Sequence, residues 1–473
     1  YPSPFNEAVI LTLDGVGEWT TTSICTAKDS TIKIREEIQY PHSIGLLYSA
    51  FTYYLGFKIN SGEYKVMGLA PYGKPKFKDL ILNNLIDLKI DGSFKLNQKY
   101  FNYSEGLTMI NKNFEILFSK PKRIPEKEKL NEFHMDIAAS IQAVTEDIIL
   151  KISKYIKLKY KVENLCLAGG VALNCVANSK VRNSKLFKNI WIQPASGDAG
   201  GSLGAALLLW YQEFKNKRII NKNIFDNMKG SYLGPQFNEN AIEKSLLKLG
   251  AVYKKLPKNN MINKTVEDLK NGKVIGWFQG SMEFGPRALG NRSIIADASS
   301  KEMQKKLNLK IKYRESFRPF APAILADQLK NWFDIDCDSP YMLFVGDILK
   351  KHIVKNSVLE NTLFGIDKLN QVRSIVPAIT HVDYSARVQT VHKETNEVFY
   401  KLISSFYEKT NIPMIVNTSF NIRGEPIVCS PKDAFRCFMG TEMDILVIEN
   451  FYIKKEDQNL IIDKNYKENY ELD

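Results

Sequence analysis

The alternation of apolar and polar positions is sharpest at two places. From Glu7 the chain reads "EAVILTLDGVGEWTTTSICT", with β-branched and apolar residues interrupted once by Asp14, Gly15, Val16 and Gly17. Period-two patterning on both sides of a short glycine turn predicts a β-hairpin. Further on, Ile137, Ile141, Val144, Ile148, Ile152 and Ile156 recur at spacings of three and four. That spacing returns each side chain to one face of a 3.6-residue turn and predicts a long amphipathic helix. Two later stretches, "VENLCLAGGVALNCVANSKV" and "NIWIQPASGDAGGSLGAALLLWYQEF", each read as strand, glycine loop and helix. Strands alternating with helices, with glycines where the strands end, predict an α/β fold with ligand loops at strand C-termini.

Beyond Phe214 the pattern fades into the polar "KNKRIINKNIFDNMKGSYLGPQFNEN", which reads as a linker and puts a domain boundary near residue 228. A second unit follows. It holds helix "NKTVEDLKNG", strand "KVIGWFQG", a helix from Ser299 and Ser300 into "KEMQKKLNLKI", and strand "PMIVNTSF". Next come helix "SPKDAFRCFMG" and one last strand, "MDILVIENFYI". Ser430 reads as the N-cap of that helix, with Pro431 at its first position. This half is mixed α+β, and the closing "KKEDQNLIIDKNYKENYELD" reads as peripheral. The start, "YPSPFNEAVI", lacks a methionine and runs almost at once into a strand, as if cut rather than initiated.

Composition changes this picture only in part. With 473 residues and 44% hydrophobic content, two or three domains can each bury a core. Lys and Arg number 65 against 52 Asp and Glu, a net +13 that favours anionic partners such as nucleotides or phosphates. Lysine runs such as "KPKFK" and "KISKYIKLKYK" read first as solvated faces, so nucleic acid is permitted by the charge and not indicated by it. The six cysteines form no CxxC pair and the five histidines form no HxxxH or HExxH. Reduced thiols in a cytoplasmic protein are the expectation. No apolar run approaches the roughly twenty residues of a membrane helix, and no stretch has the form of a signal peptide.

Four groups carry candidate chemistry. The first is three glycine loops: "LDGVG" with Asp14, "LAGGVALN" with Gly169, Gly170 and Asn174, and "SGDAGGSLG" with Gly197, Asp198 and Gly200. Backbone N–H groups in such turns can approach phosphate oxygens because no Cβ intervenes, and a following helix N-terminus favours the anion. Asp14 and Asp198 can then hold a metal or orient a nucleophile. Taken singly, each loop reads first as tight strand–helix packing. The second is "GEYKVMGLAPYG", where Glu63 and Lys65, two apart, would share one face of an extended segment. The third joins Arg287 and Arg292 of "MEFGPRALGNRSI" to Lys312, Arg314 and Arg318 of "IKYRESFRPFAPAI". Guanidinium forks suit phosphate and carboxylate bidentately. The competing reading is internal pairing with Glu283, Asp297 or Glu315. The fourth is "NTSFNIRGEPIV", with Asn417, Thr418, Ser419 and Asn421 on the turn where a strand ends, suited to a base, a ribose or an amide. Read alone, that is an ordinary side-chain-capped turn.

Taken in order, "SGEYKVMGLAPYG", "LAGGVALN", "PASGDAGGSLGAA", "GPRALGNRSI", "YRESFRPFAPAI" and "NTSFNIRGEPIV" resemble the NodU/CmcH/TobZ family of O-carbamoyltransferases over roughly residues 1 to 455. The resemblance implies an incomplete TsaD-like domain of the actin/Hsp70/sugar-kinase (ASKHA, RNase H-like) superfamily over 1–228. A YrdC-like α+β domain over 229–473 would follow. It implies that carbamoyl phosphate and ATP, the latter with Mg2+, give carbamoyl-adenylate in the second domain. The carbamoyl group would then pass in the first domain to a hydroxyl of a small natural product or glycoside. On that resemblance Arg287, Lys312, Arg318 and Asp14 are catalytic; Ser419, Arg292, Arg314, Asn417, Glu63, Lys65 and the glycine loops bind the co-substrates. Family members carry a metal-binding HxxxH just before the equivalent of "YPSPF", with Asp198 matching the third ligand of what the resemblance makes an Fe(II) site. Both histidines are missing here, and His42 and His134 do not match them, so the chain reads as lacking an N-terminal segment. A homodimer is permitted, and neither nucleic acid nor membrane is an expected partner. Rival readings are a tRNA threonylcarbamoyladenosine enzyme, which shares both domain types, and a non-catalytic nucleotide- or RNA-binding protein suggested by the charge.

Overall fold

A computed structural model describes residues 1–220, 225–354, 363–459 and 466–471. The chain divides into two compact units: Tyr1–Asn227 with Leu363–Asp367, and Met228–Thr362 with Lys368–Asp473. Both are mixed α/β.

The first unit is built on a five-stranded sheet. Strands β1 (Glu7–Leu13), β2 (Thr20–Lys28) and β3 (Thr31–Gln39) form an antiparallel meander. Helices α1 (Ile44–Tyr54), α2 (Glu63–Leu69) and α3 (Lys78–Asn84), the small hairpin β4 (Ile86–Leu88) and β5 (Phe94–Leu96), and α4 (Lys112–Leu117) come next. The predicted amphipathic helix is α5 (Glu132–Tyr160), which buries all six of its periodic residues and packs on α1, α2 and α3. An Asn131–His134 capping box starts it, and Lys161 in the left-handed region ends it. Then β6 (Asn164–Ala168), α6 (Cys175–Asn183), β7 (Asn189–Ile192) and α7 (Asp198–Leu208) complete the predicted strand–loop–helix pairs. Strand β6 lies parallel to both β1 and β7, giving the order β3-β2-β1-β6-β7. Helix α7 has no buried residue. The polar stretch after Phe214 is not a loose linker. Arg218 donates to the carbonyls of Tyr1, Ser3 and Phe5, and buried Asp226 accepts from the Trp191 indole at 2.6 Å.

The second unit is a nine-stranded sheet covered on both faces. Its elements are α8 (Glu239–Lys248), β8 (Lys254–Lys255), α9 (Lys258–Lys270), β9 (Ile275–Phe278), β10 (Arg292–Asp297), α10 (Met303–Lys306), β11 (Ala321–Leu325) and α11 (Leu329–Trp332). They continue with β12 (Phe344–Asp347), β13 (Ser385–Val391), α12 (Glu397–Thr410), β14 (Met414–Ser419), α13 (Pro431–Met439), β15 (Ile445–Ile448) and β16 (Phe451–Lys454). The order is β12-β13-β11-β14-β10-β9-β15-β16-β8, antiparallel except for the β11–β13 and β9–β15 pairs. Alternate residues of β10 feed two separate cores: Ile294 and Ala296 pack with α8 and α13, Ile295 with α9 and α12. Ser430 caps α13 in a capping box with Asp433, as its sequence predicts.

Several expectations are corrected. Residues 63–69 are helical, so Glu63 and Lys65 do not share a face: two residues span about 200° of a helix. The last strand is a hairpin, because Glu449 takes a positive φ and turns the chain between β15 and β16. Ser299 does not start a helix; its N–H and Oγ both bond Asp297 Oδ1, which holds it in a turn until Met303. After α10 the chain widens into a π turn, Leu307–Ile311, closed by Lys312 N–H on Leu307 O at 2.9 Å. Such widened turns often mark functional positions. In the tail, of which residues 460–465 and 472–473 lie outside the described residues, Tyr466 is not peripheral but buried in the unit's main core.

Candidate functional site

In the first unit, β1 and β6 are parallel neighbours with Thr12 beside Ala168. Their C-terminal loops therefore leave the sheet together, and Asp14 Oδ1 accepts from Gly170 N–H at 3.1 Å. Gly169 sits at φ +87°, where a Cβ would overlap the Leu13 carbonyl. Only glycine fits. Ser43, the N-cap of α1, donates to Asp14 O at 2.9 Å and accepts from Leu46 N–H, which fixes the turn from the other side. The third glycine loop follows β7, the next parallel strand, and leaves at the same end. In it Gly200 abuts the Ala195 carbonyl, a Cβ on Gly197 would meet open space, and buried Ser196 Oγ has no hydrogen-bond partner among the described residues.

Other residues singled out in this half have structural employment. Asn174 Oδ1 caps α6 through Ala177 N–H, and its amide exchanges hydrogen bonds with Gln142. Glu63 accepts from Ser49 Oγ and Asn60 N–H, while Lys65 is fully buried with its ammonium over the Phe57 ring. Asp198 is exposed at the start of α7. Among the described residues, no group of three or more His, Cys, Asp and Glu side chains is arranged to hold a metal ion.

In the second unit three loops converge by strand pairing alone. Strands β10 and β11 both flank β14 antiparallel, with Ser293 beside Ser419 and Ala321 beside Asn417. The loops entering β10 and β11 thus meet the loop leaving β14 at one end of the sheet. They bring Arg287, Lys312, Arg314, Arg318 and Ser419 to that end, together with Arg423.

The Arg287 loop is rigidly built. Buried Glu283 Oε1 accepts from the N–H groups of Leu289 (2.7 Å), Asn291 (2.9 Å) and Arg292 (3.3 Å). Carbonyls of the same loop are held by Trp277 on Gly290, by Tyr232 and Gln389 on Leu289, and by Asn417 on Ala288. Glu283 thus serves as a cap for backbone donors. Asn417 lies within β14, not on the turn after it, and its second amide bond goes to Gln389. Its Oδ1 is buried with no hydrogen-bond partner among the described residues.

Arg292 is not an open anion ligand. It is fully buried, its guanidinium lies 3.5 Å over Phe278, and its terminal nitrogens donate to the carbonyls of Pro235, Gln279, Gly280 and Asn291. Burial pushes its pKa down to about 10 against the opposing pull of Glu283.

Lys312 has a different situation. Its Nζ donates to Ser419 O (2.6 Å), Asn421 O (2.8 Å) and Asn421 Oδ1 (2.7 Å), and reaches Ser419 Oγ at 3.2 Å. All four acceptors are neutral. Burial holds its pKa well below the usual lysine value, and Arg314 and Arg318 push the same way against Cys437 and Glu425. A buried ammonium without a contacting carboxylate is a position where an anion is strongly favoured. Beside it, Glu315 pairs with Arg318 at 3.6 Å and with Arg423 at 3.4 Å. The competing reading therefore holds for Glu315, which two guanidiniums contact. Arg314 stacks over Phe320 and bonds Asn308 Oδ1 at 2.7 Å. Sequence reasoning passed over Arg423 and Glu425, although both stand in the quoted "NIRGEP". The glycine-flanked guanidinium logic applied to Arg287 would have found Arg423.

Comparison with known proteins agrees in both halves. A family model described as "Carbamoyltransferase N-terminus" matches residues 1–207, and "Carbamoyltransferase C-terminus" matches 266–455. An uncharacterized Synechocystis sp. protein is 56% identical over 100% of this chain and 77% of its own length. Nodulation protein NolNO of Sinorhizobium fredii is 33% identical over 96% of this chain, which spans 62% of it. Nodulation protein NolO of Bradyrhizobium diazoefficiens is 32% identical over 97% of this chain and 77% of its own length.

Proposed function

The chain belongs to the carbamoyltransferase family, an enzyme class that implies carbamoyl phosphate as a substrate, and from that premise we propose an ATP-dependent O-carbamoyltransferase. The second unit acts as a YrdC-like adenylate synthase. Carbamoyl phosphate is hydrolysed there to carbamate and phosphate. A carbamate oxygen then attacks the α-phosphorus of ATP, giving carbamoyl-adenylate and pyrophosphate. The first unit acts as an ASKHA-type transfer domain, where an acceptor hydroxyl attacks the carbamoyl carbon and AMP leaves. The acceptor in this reading is a small hydroxylated molecule.

The observation that carries the proposal is the convergence of the loops entering β10 and β11 with the loop leaving β14. Positive groups fixed before reaction stabilise charge as it develops on phosphates, commonly the largest catalytic contribution. Lys312, held by neutral acceptors among the described residues, and Arg318 and Arg423, both in contact with Glu315, are the positive groups that support this reading at that end of the sheet. Arg287 projects from a loop whose backbone is bonded on both sides of it, so little ordering entropy remains to be lost on binding. Arg292 acts in this reading through that loop and not on the ligand.

In the first unit Gly169, Gly170 and Asp14 form a turn that a phosphate or ribose can approach closely, and orphaned Ser196 Oγ offers a further partner. An iron(II) site is implied by resemblance, but of its ligands the described residues supply Asp198 alone, exposed at the start of α7. The residues present do not fit a complete metal site, and no step is routed through one. Mg2+ enters as part of the ATP complex.

Incubation with ATP and carbamoyl phosphate, without acceptor, tests the proposal. Pyrophosphate and carbamoyl-adenylate are expected to form, and Arg287→Ala to reduce both by at least about a hundredfold. A folded, ATP-binding chain that makes neither would overturn it.

A further inference from the structure

The segment Tyr466–Glu471 lies beyond the 266–455 match to the family, and the proposed chemistry does not use it. Yet it is joined to Lys312 by an unbroken run of hydrogen bonds. The hydroxyls of Tyr466 and Tyr470 both donate to Glu425 Oε1, the second at 3.2 Å. Glu425, itself buried, holds its own loop: Oε2 accepts from Ile422 N–H at 2.8 Å, and its carbonyl accepts from Asn421 Nδ2 at 2.6 Å. The other end of that Asn421 amide, Oδ1, accepts from Lys312 Nζ and from Ser419 Oγ, each at 2.7 Å.

The body of the unit is shaped for the segment as well. Gly424 takes φ +78°, and a Cβ there would overlap the Glu471 carbonyl; a Cβ on Gly440 would overlap the Tyr466 ring. Two glycines thus stand where the segment passes, one of them in the loop that carries Asn421. Tyr466 is 3% exposed, so its ring is core, and its hydroxyl meets the buried Glu425 carboxylate and, at 3.3 Å, the Tyr470 hydroxyl. Core packing alone would be met by phenylalanine. A tyrosine there keeps Glu425 supplied with donors, and a carboxylate in such a place rotates if a donor is withdrawn.

We infer that Tyr466–Glu471 is a strap that fixes the Asn421 loop, and that Tyr466 and Tyr470 are positioning residues for Lys312 and Ser419, acting through Glu425. This rests on the reading of Lys312 as a co-substrate ligand only for its kinetic consequence; the structural consequence is independent of it. Loosening the strap frees Asn421, raises access to the Lys312 amine, and weakens binding of the anionic substrate more than turnover.

The test compares the full chain with the double variant Tyr466→Phe, Tyr470→Phe, which keeps both rings, and with a chain ended after Asp457. Access to Lys312 is read by reductive methylation followed by peptide mass spectrometry, without substrates. Kinetics are read as pyrophosphate release against carbamoyl phosphate concentration. In the double variant, Lys312 labelling and KM for carbamoyl phosphate should each rise about tenfold, with kcat changed less than about threefold. A synthetic peptide of residues 458–473 should restore both in the shortened chain. Increased labelling in a full-length chain that releases no pyrophosphate would uphold the strap and sink the adenylate reading. Unchanged labelling in the double variant, together with a shortened chain that the peptide does not rescue, would overturn the strap.

Discussion

Glu283 gives the most direct test of how the Arg287 loop is held. One oxygen of this buried carboxylate accepts from three backbone N–H groups, those of Leu289, Asn291 and Arg292. Glu283→Gln preserves shape and one acceptor but removes the charge. Three charge-assisted bonds become neutral ones, each about half as strong, and buried Arg292 loses its main opposing charge. A local loss of about 2–3 kcal/mol follows. Glu283→Ala removes the acceptor altogether and strands three buried donors at about 1–3 kcal/mol each, a large share of the 5–15 kcal/mol that holds a domain.

The assay reads the bonds themselves: hydrogen exchange of the Leu289, Asn291 and Arg292 amides by mass spectrometry of peptides spanning 282–295. In Glu283→Gln their exchange should quicken about 30- to 150-fold, the equivalent of the loss just estimated. The β14 amides should change far less. Since Arg287 lies between Glu283 and the first amide it holds, pyrophosphate release should fall with protection. Exchange within about threefold of the parent in Glu283→Gln, with Glu283→Ala no worse, would refute the claim that this carboxylate organises the loop.

Further outcomes are expected elsewhere. Gly169→Ala places a Cβ against the Leu13 carbonyl at a left-handed backbone position and should cost the first unit about 2–3 kcal/mol, read as its urea midpoint, while pyrophosphate release from the second unit survives. Arg423→Ala should raise KM for carbamoyl phosphate or ATP about tenfold, and Arg423→Lys should recover little of it, because a lysine cannot offer the bidentate fork. His134 is held down to about 4, first by burial, with Lys120 and Arg123 adding to this and Glu128 opposing. Its folded pKa lies below its unfolded one, so between about pH 6.5 and 4 the unfolded chain binds the extra proton. Stability is then lost as pH falls through that window, by up to about 3 kcal/mol, and His134→Gln should flatten the urea-midpoint profile there.

What the sequence made legible is what local pattern controls. The β1–β2 hairpin, α5, the two strand–loop–helix pairs and the Ser430 cap are each set by residues within a few positions of one another. The β15–β16 turn was hidden because "MDILVIENFYI" is uniformly strand-forming, and the break needs only one residue, Glu449, at positive φ. Glu63 and Lys65 were misread because a spacing of two fits a strand face, while Gly62 and Pro71 bracket a short helix just as well.

The cations show the harder limit. In sequence Arg287, Arg292, Arg314 and Arg318 are alike, each on a glycine- or proline-rich stretch and each apparently in need of an anion. For Arg292 the fold supplies what the sequence does not show, a ring of backbone carbonyls. Arg292 starts β10, and Pro235, Gln279 and Gly280 lie around it only because β9 pairs with β10 and the chain near residue 235 packs on the turn between them. Its charge is satisfied by backbone oxygen, and its energetic role is to hold the loop. Among the described residues Lys312 finds neutral acceptors, and Arg318 and Arg423 both contact Glu315. Counting positive residues therefore overstates the proposed anion site by Arg292 and misses Arg423 as a candidate. A charge reveals its use only when its hydrogen-bond partners are known, and those are fixed by strand pairing between residues more than a hundred positions apart.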